Sequence, residues 1–273
     1  MMKRKYNLCF TKAVASGNDF IIIDNKAGEL DSRQLDYSEI ARDICSRRHS
    51  IGADGLLVLE ATEKANYRMR IINPDGSEVT MCGNGIRCSS LYASESGWGD
   101  TLSVETGAGI LNTEVKENNV KIKMSDPTDL KLDINLGIGS NLMKVHYINT
   151  GVPHVVHIVE DLDNYPVTDI GRQIREHPLF EPEGTNANFV ADVEGNKASL
   201  RTYERGVEDE TLACGTGTTA SAIILGLLDF VTSPVKIKTR GGEELTVYFT
   251  RSGRKVTDVY LEGAASLIYE GKI

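Results

Sequence analysis

Two segments of the chain are built alike, and that likeness limits what the chain can fold into. Met81-Cys82-Gly83-Asn84-Gly85 and Ala213-Cys214-Gly215-Thr216-Gly217 each place a cysteine before a Gly-x-Gly, and each opens into a run able to form a helix. The cysteines stand 132 positions apart, and other landmarks keep nearly the same spacing. Ser16-Gly17 answers to Thr150-Gly151, Gly52 to Gly184, Thr106-Gly107 to Thr239-Arg240, and a hairpin turn at Asn118 to one at Ser252-Gly253. Glycine turns are common, but five correspondences in register at offsets of 132 to 134 point to an internal repeat.

Each half therefore reads as the same small set of parts. Phe20-Ile21-Ile22-Ile23 is a β-branched run between turn residues, which predicts a buried strand. Leu35 to Arg48 has helical apolar spacing. Leu56 to Leu59 and Tyr67 to Ile72 predict strands, Asn73-Pro74-Asp75-Gly76 a turn, and Val104 to Met124 strands about a hairpin. The second helix, Thr218 to Leu228, is apolar on nearly every side, so it must be buried all round, with a sheet curled about it. The expected fold is α+β: two pseudo-symmetric domains, each a curled, mostly antiparallel, barrel-like sheet around a central helix. Alternation ends at Asp126-Pro127, where a polar stretch is expected. The division predicted is 1–126 with a returning terminal strand at 264–273, and 127–263 as the second half.

The net charge of −9 argues against nucleic acid or an anionic membrane as the main partner. No apolar run approaches the roughly 18–20 residues that span a bilayer, and the basic start Met1 to Lys5 has no apolar segment behind it. Five cysteines without secretory context read as reduced thiols of a cytoplasmic protein. Cys82 and Cys88 lack a second pair or a histidine cluster, so no metal site is expected. Cys9, Cys45 and Cys88 read as small buried hydrophobes.

Cys82 and Cys214 read differently. Unpaired amides at a helix start carry partial positive charge, bind anions and favour a thiolate. Two such thiols facing one substrate suit a reaction that takes a proton from one face of a carbon and returns one to the other, which is racemisation or epimerisation.

The sequence here resembles the diaminopimelate epimerases, which work without pyridoxal phosphate or another cofactor. The resemblance is carried by Ser16 to Phe20, Arg48 to Gly55, Asn73 to Glu78, Met81 to Cys88, Gly151 to His154, Tyr203 to Gly206 and Ala213 to Gly217, in the family's order. It implies that Cys82 and Cys214 are the acid–base pair that interconverts LL- and meso-diaminopimelate, in a small-molecule enzyme of lysine and peptidoglycan precursor synthesis, with a homodimer expected. It implies further that the amides of Gly83, Asn84, Gly85, Gly215, Thr216 and Gly217 hold the α-carboxylate. Glu204 would take the α-ammonium, His154 would lie beside the reacting centre, and Asn18, Asn73, Asn186 and Arg205 would hold the distal end. The sequence departs from the family where Gly55 and Val152 replace a common Gln and Asn, and where Glu208-Asp209-Glu210 lengthens a loop. A racemase acting on histidine or proline is the nearest alternative; a thiol redox protein is the alternative of another class, although no Cys-x-x-Cys is present.

Overall fold

The computed structural model describes residues 5–139 and 141–273; the basic start Met1 to Arg4 and Ser140 lie outside them. The chain divides into two compact units, residues 1–122 with 263–273, and 123–262.

In the first unit, β1 (Cys9–Ala15) and β2 (Asn18–Asn25) form a hairpin through Ser16-Gly17. Two short helices come next, α1 (Glu29–Ser32) and α2 (Tyr37–Ile44). Then come β3 (Gly55–Glu60), β4 (Tyr67–Ile72), the short β5 (Glu78–Val79) and the helix α3 (Gly83–Glu95). β6 (Thr101–Thr106), β7 (Gly109–Lys116) and β8 (Asn119–Lys123) complete the run. β3 lies parallel to β2 and β6 parallel to β4, while the remaining pairs, β1–β2, β3–β4, β4–β5, β6–β7 and β7–β8, are antiparallel. The last strand of the chain, labelled β18 (Ser266–Lys272), pairs antiparallel with β1.

The second unit repeats this order. β9 (Thr128–Ile138) and β10 (Asn141–Asn149) lead into β11 (Pro153–Ile158), helix α4 (Val167–Arg175), β12 (Asn186–Glu194), β13 (Lys197–Glu204) and the short β14 (Asp209–Thr211). Helix α5 (Gly215–Leu227) is next, then β15 (Val235–Lys238), β16 (Glu244–Ser252) and β17 (Lys255–Ala264). β12 runs parallel to β11 and β15 parallel to β13, with antiparallel pairs elsewhere. These are the pairings of β2–β3 and β4–β6 made again, so the repeat read from the sequence is a repeat of topology.

The central helices justify the curled sheets. α5 is buried from Gly217 to Leu227 and packs against β10, β11, β12, β13, β15 and β16. Ile223, Ile224 and Leu225 are fully enclosed with Val156, Val190, Val235, Ile237 and Val247. Each such side chain contributes about 1.5–3 kcal/mol by leaving water. α3 buries a more polar face that includes Arg87, Cys88, Ser89 and Ser90. Its serines are satisfied inside the core: the Tyr67 hydroxyl lies 2.9 Å from Ser89 Oγ, and Ser90 Oγ lies 3.1 Å from Thr113 Oγ1.

Four local expectations change. The polar stretch after Pro127 is the 11-residue strand β9, whose inward residues include Leu136 and Ile138 and which pairs with β10; outward polar residues hide a period-two pattern. Helix 35–48 contracts to Tyr37–Ile44, because the Ile44 and Cys45 carbonyls accept from Gly52 N and Ala53 N of the returning loop. Gly52 makes that return at φ +78°, where a Cβ would lie 2.7 Å from Arg47 Cα. α5 begins at Gly215, three residues ahead of the expected start. Cys9 is exposed, not buried: Thr11, Ala13 and Ala15 on the same face of β1 are covered, but Cys9 is the strand's first residue and lies at its uncovered end. No helix among the described residues is long and apolar enough to cross a membrane.

Candidate functional site

Cys82 and Cys214 occupy the same local position in the two units. Each is the N-cap of the central helix, with extended backbone (φ −147°, ψ 119° and φ −126°, ψ 111°), so each sulfur stands where the helix offers its unpaired amides. In both, the cap carbonyl accepts the first helical bond, from Ile86 N at 2.9 Å and Thr218 N at 2.8 Å.

In the first unit Cys82 is half-buried. Gly83 is open: a Cβ there would meet nothing within 4 Å, which leaves the first-turn amides approachable. Asn84 turns its Oδ1 inward to accept from Arg87 Nη2 at 2.7 Å. The same buried guanidinium reaches Ser16 Oγ, beside the turn that carries Asn18, and the Ala264 carbonyl at 2.8 Å. Asn18 keeps a buried Oδ1 with no partner among the described residues. Its neighbour Asp19 is anchored by Arg47 Nη2 at 2.6 Å and Lys12 Nζ at 2.7 Å. Burial opposes ionisation of Asp19, but the hydrogen bonds from Arg47 and Lys12 outweigh it and hold the carboxyl well below the usual carboxylate range. Asn73 stands in the turn between β4 and β5. Its amide nitrogen donates 2.8 Å to the Ser77 carbonyl, and its side chain donates 3.0 Å to Ser77 Oγ.

The second unit is tighter. Cys214 is buried, and desolvation followed by the neighbouring Glu204 charge pushes its thiol up to about 12. The Thr216 hydroxyl, 3.5 Å from the sulfur, and the amides of Gly217 and Thr216 pull the other way. Glu204 accepts from the Cys214 thiol and, at 3.0 Å, from the Thr211 hydroxyl; burial still raises its carboxyl above the ordinary value. The Thr150 hydroxyl donates 2.9 Å to the Thr216 carbonyl and fixes the helix start. Glu204-Arg205 is thus no solvated surface pair: one member faces a thiol, and the other donates from Nη1 to the Glu183 carbonyl at 2.7 Å.

β11, β12 and β13 set the remaining groups side by side. His154 lies opposite Asn186 in register. The Asn186 amide donates 3.0 Å to the Pro153 carbonyl and accepts 2.8 Å from Arg205 N, so it laces three strand ends together. His154 is fully buried, and desolvation, then Arg205, lowers its imidazole to about 3. Its Nε2 has no partner among the described residues.

The sequence alone does not single out Arg87, Asn188, Thr150 and Thr211 as members of the site. Arg87 has a signal of its own, a charge set between Ile86 and Cys88 on a helix that must bury that face. Asn188 sits in the otherwise apolar strand Ala187 to Ala191, where an inward polar residue needs a partner.

The sequence pattern of the diaminopimelate epimerase family matches residues 10–130 and 146–268. The chain belongs to that family. A diaminopimelate epimerase of Aquifex aeolicus is 40% identical over 97% of this chain and 97% of its own length. One of Archaeoglobus fulgidus is 41% identical over 97% of this chain and 95% of its own. The fold reaches further. A Bacillus anthracis phenazine biosynthesis protein of the PhzF family superposes with a TM-score of 0.72 at 18% identity, covering 97% of this chain and 98% of that one. A probable proline racemase of Agrobacterium radiobacter gives 0.67 at 15% identity, over 97% and 92%.

Two of the positions that depart from the family pattern are tightly held. At Gly55 a Cβ would meet the Ile72 carbonyl at 3.3 Å and the Phe20 ring at 3.4 Å, so β3 has closed onto its neighbours there. The longer loop at Glu208 is clamped: Glu208 Oε1 accepts 3.1 Å from Arg175 Nε of α4 and 3.0 Å from Gly206 N.

Proposed function

We propose that this epimerase interconverts LL- and meso-2,6-diaminopimelate by a two-thiol mechanism, with Cys82 and Cys214 on opposite faces of the α-carbon. The observation that carries the reading is the duplicated N-cap: two units of one topology each begin a buried helix at a cysteine. The thiolate form of one cysteine takes the α-proton. The thiol of the other gives its proton to the opposite face, and the charge that grows between the two events falls on a carboxylate held by helix amides. The raised Cys214 thiol favours that residue as the proton donor of the resting enzyme. The family resemblance puts the α-ammonium on Glu204, with His154 beside the reacting centre. It puts the distal amino-acid end on Asn18, Asn73, Asn186 and Arg205. The unpartnered Asn18 Oδ1 supports a substrate ammonium there, since a buried acceptor wants a donor.

We further place the enzyme in the cytoplasm as a homodimer of lysine and cell-wall precursor synthesis. The odd, modest count of five cysteines agrees with a reducing compartment. The test is proton exchange by NMR in deuterated water with reducing agent and LL-diaminopimelate. Loss of the α-proton signal with growth of the meso isomer is expected, and Cys82→Ala or Cys214→Ala abolishes it. Exchange with histidine or proline alone would retain the mechanism and replace the substrate; no exchange with any amino acid would overturn both.

A further inference from the structure

The two units share a topology but differ at one buried pair. β2 and β3 place Phe20 opposite Gly55, and two residues further along β3 stands Leu57. β11 and β12 place His154 opposite Asn186, and two residues further along β12 stands Asn188. The central helices report the same correspondence. A Cβ at Gly85 would meet Leu57 Cδ2 at 3.3 Å, and a Cβ at Gly217 would meet Asn188 Oδ1 at 2.3 Å. Where the first unit fills this place with Phe20 and Leu57, the second therefore uses His154 and Asn188. All four are buried. The first unit shows that the fold accepts an apolar pair here, so packing alone does not call for the polar one.

The polar pair has a defined geometry. Asn188 Nδ2 donates 2.8 Å to the Val155 carbonyl, which can only accept, so the amide nitrogen is fixed on that side. The same nitrogen lies 3.1 Å from His154 Nδ1. An amide nitrogen has no acceptor lone pair to offer, so Nδ1 must be the acceptor and the imidazole proton must sit on Nε2. Asn188 Oδ1 is held in turn by the Thr202 hydroxyl at 3.0 Å. The outcome is a neutral imidazole whose Nε2–H is a buried donor with no partner among the described residues.

We propose that Asn188 is a positioning residue of the epimerase: it locks His154 in the Nε2–H tautomer and seats the first turn of α5, so that an acceptor oxygen of the substrate meets a donor fixed in advance. This rests on the amino-acid epimerase reading for its catalytic consequence, while the tautomer itself does not.

The full-length protein labelled with 15N reports the tautomer directly through long-range imidazole correlations, with His154→Gln assigning the signal. The ligand-free wild type is expected to show a neutral Nε2–H ring that does not titrate between pH 5 and 8. Asn188→Asp keeps the shape but presents an acceptor to Nδ1, which moves the proton to Nδ1 or charges the ring. A kcat lower by up to about 100-fold, with an altered pH profile and a smaller change in KM, is expected with it. Asn188→Leu combined with Thr202→Val supplies the leucine that the first unit has at this place and keeps His154 as the reporter. It is expected to keep the wild-type unfolding midpoint within a few degrees while losing the single tautomer and a similar share of kcat. An unchanged tautomer in Asn188→Asp, or an unchanged kcat and pH profile in both variants, would overturn the proposal. Because the ring is read without substrate, an Nε2–H signal in a wild type inert toward diaminopimelate would count against the proposed reaction and not against this assignment.

Discussion

The buried guanidinium of Arg87 donates 2.8 Å to the carbonyl of Ala264, residues separated by 177 positions in the chain. The contact ties the central helix of the first unit to the segment entering the last strand, and the same group holds Asn84 Oδ1. Removing a buried donor leaves each of its acceptors unsatisfied away from solvent, at a cost of about 1–3 kcal/mol per group. Arg87→Met leaves the Ala264 carbonyl and Asn84 without this donor, and Arg87→Lys has one nitrogen where the fork has two. Both are expected to lower the denaturation midpoint, Met more than Lys. Both should also cut epimerisation, because the freed Asn84 side chain lies in the first turn beside Cys82. A denaturant titration with the proton-exchange assay checks this; a midpoint equal to the wild type in Arg87→Met would refute it.

The glycines behind the two cysteines answer to different constraints. A methyl at Gly83 meets open space, and one at Gly217 lands 2.3 Å from Asn188 Oδ1, which is itself pinned by Thr202. Gly83→Ala should therefore leave stability unchanged or raise it by up to about 1 kcal/mol through helix propensity. Gly217→Ala should cost about 1–3 kcal/mol through overpacking. Thermal unfolding of the two variants side by side measures the contrast, and equal effects would contradict the packing described.

Period and repetition are legible in the sequence. Helix α5 has to be buried because its residues leave no polar face, and the duplicated Cys-Gly-x-Gly locates both N-caps without any coordinates. Tertiary pairing is not legible in the same way. Nothing local says that Arg87 will reach residue 264, or that Asn188 will meet a histidine 34 positions away. Helix α4 carries the same helical spacing as its counterpart α2, with Val167, Ile170 and Ile174 set among Asp169, Arg172 and Arg175. β9 is harder to read, since most of its outward residues are charged or polar.

Acid should unfold the protein in two stages. His154 titrates near ~6.5 in an unfolded chain, whereas burial lowers it to about 3 in the folded one. A depressed folded value means that the stabilisation is complete above the unfolded value and is lost as pH falls below it, at up to roughly 1.4 kcal/mol per pH unit for such a group. His146 and His157, also lowered by burial, act in the same direction. Asp19, held low in spite of its burial by Arg47 and Lys12, adds a second loss below pH ~4, where an unfolded carboxylate takes up its proton. Urea midpoints at pH 7.5, 6, 5 and 4 should fall steadily. The double variant His154→Phe with Asn188→Leu should flatten the limb between pH 6.5 and 4.5, and Asp19→Asn the limb below 4. A midpoint independent of pH from 7.5 to 4.5 would exclude a neutral buried His154.

The two thiols should differ sharply toward an alkylating reagent. Cys214 is only 6% exposed, and burial with the Glu204 charge beside it pushes its thiol up to about 12. A thiol held that far above its ordinary value stays protonated at pH 8, and the thiolate is the nucleophile. Cys82 is half-buried behind the open Gly83, so a small reagent can reach it. Brief iodoacetamide treatment and then peptide mass spectrometry should find Cys82 and the exposed Cys9 modified, with Cys214 and the buried Cys45 and Cys88 slower by at least about tenfold. Glu204→Gln removes the neighbouring charge while keeping the shape of the side chain. It should lower the Cys214 thiol and speed its alkylation, moving the onset of labelling to lower pH. If Cys214 reacts as fast as Cys82 in the wild type, it is no resting proton donor, and the division of labour between the two cysteines must be reversed or abandoned.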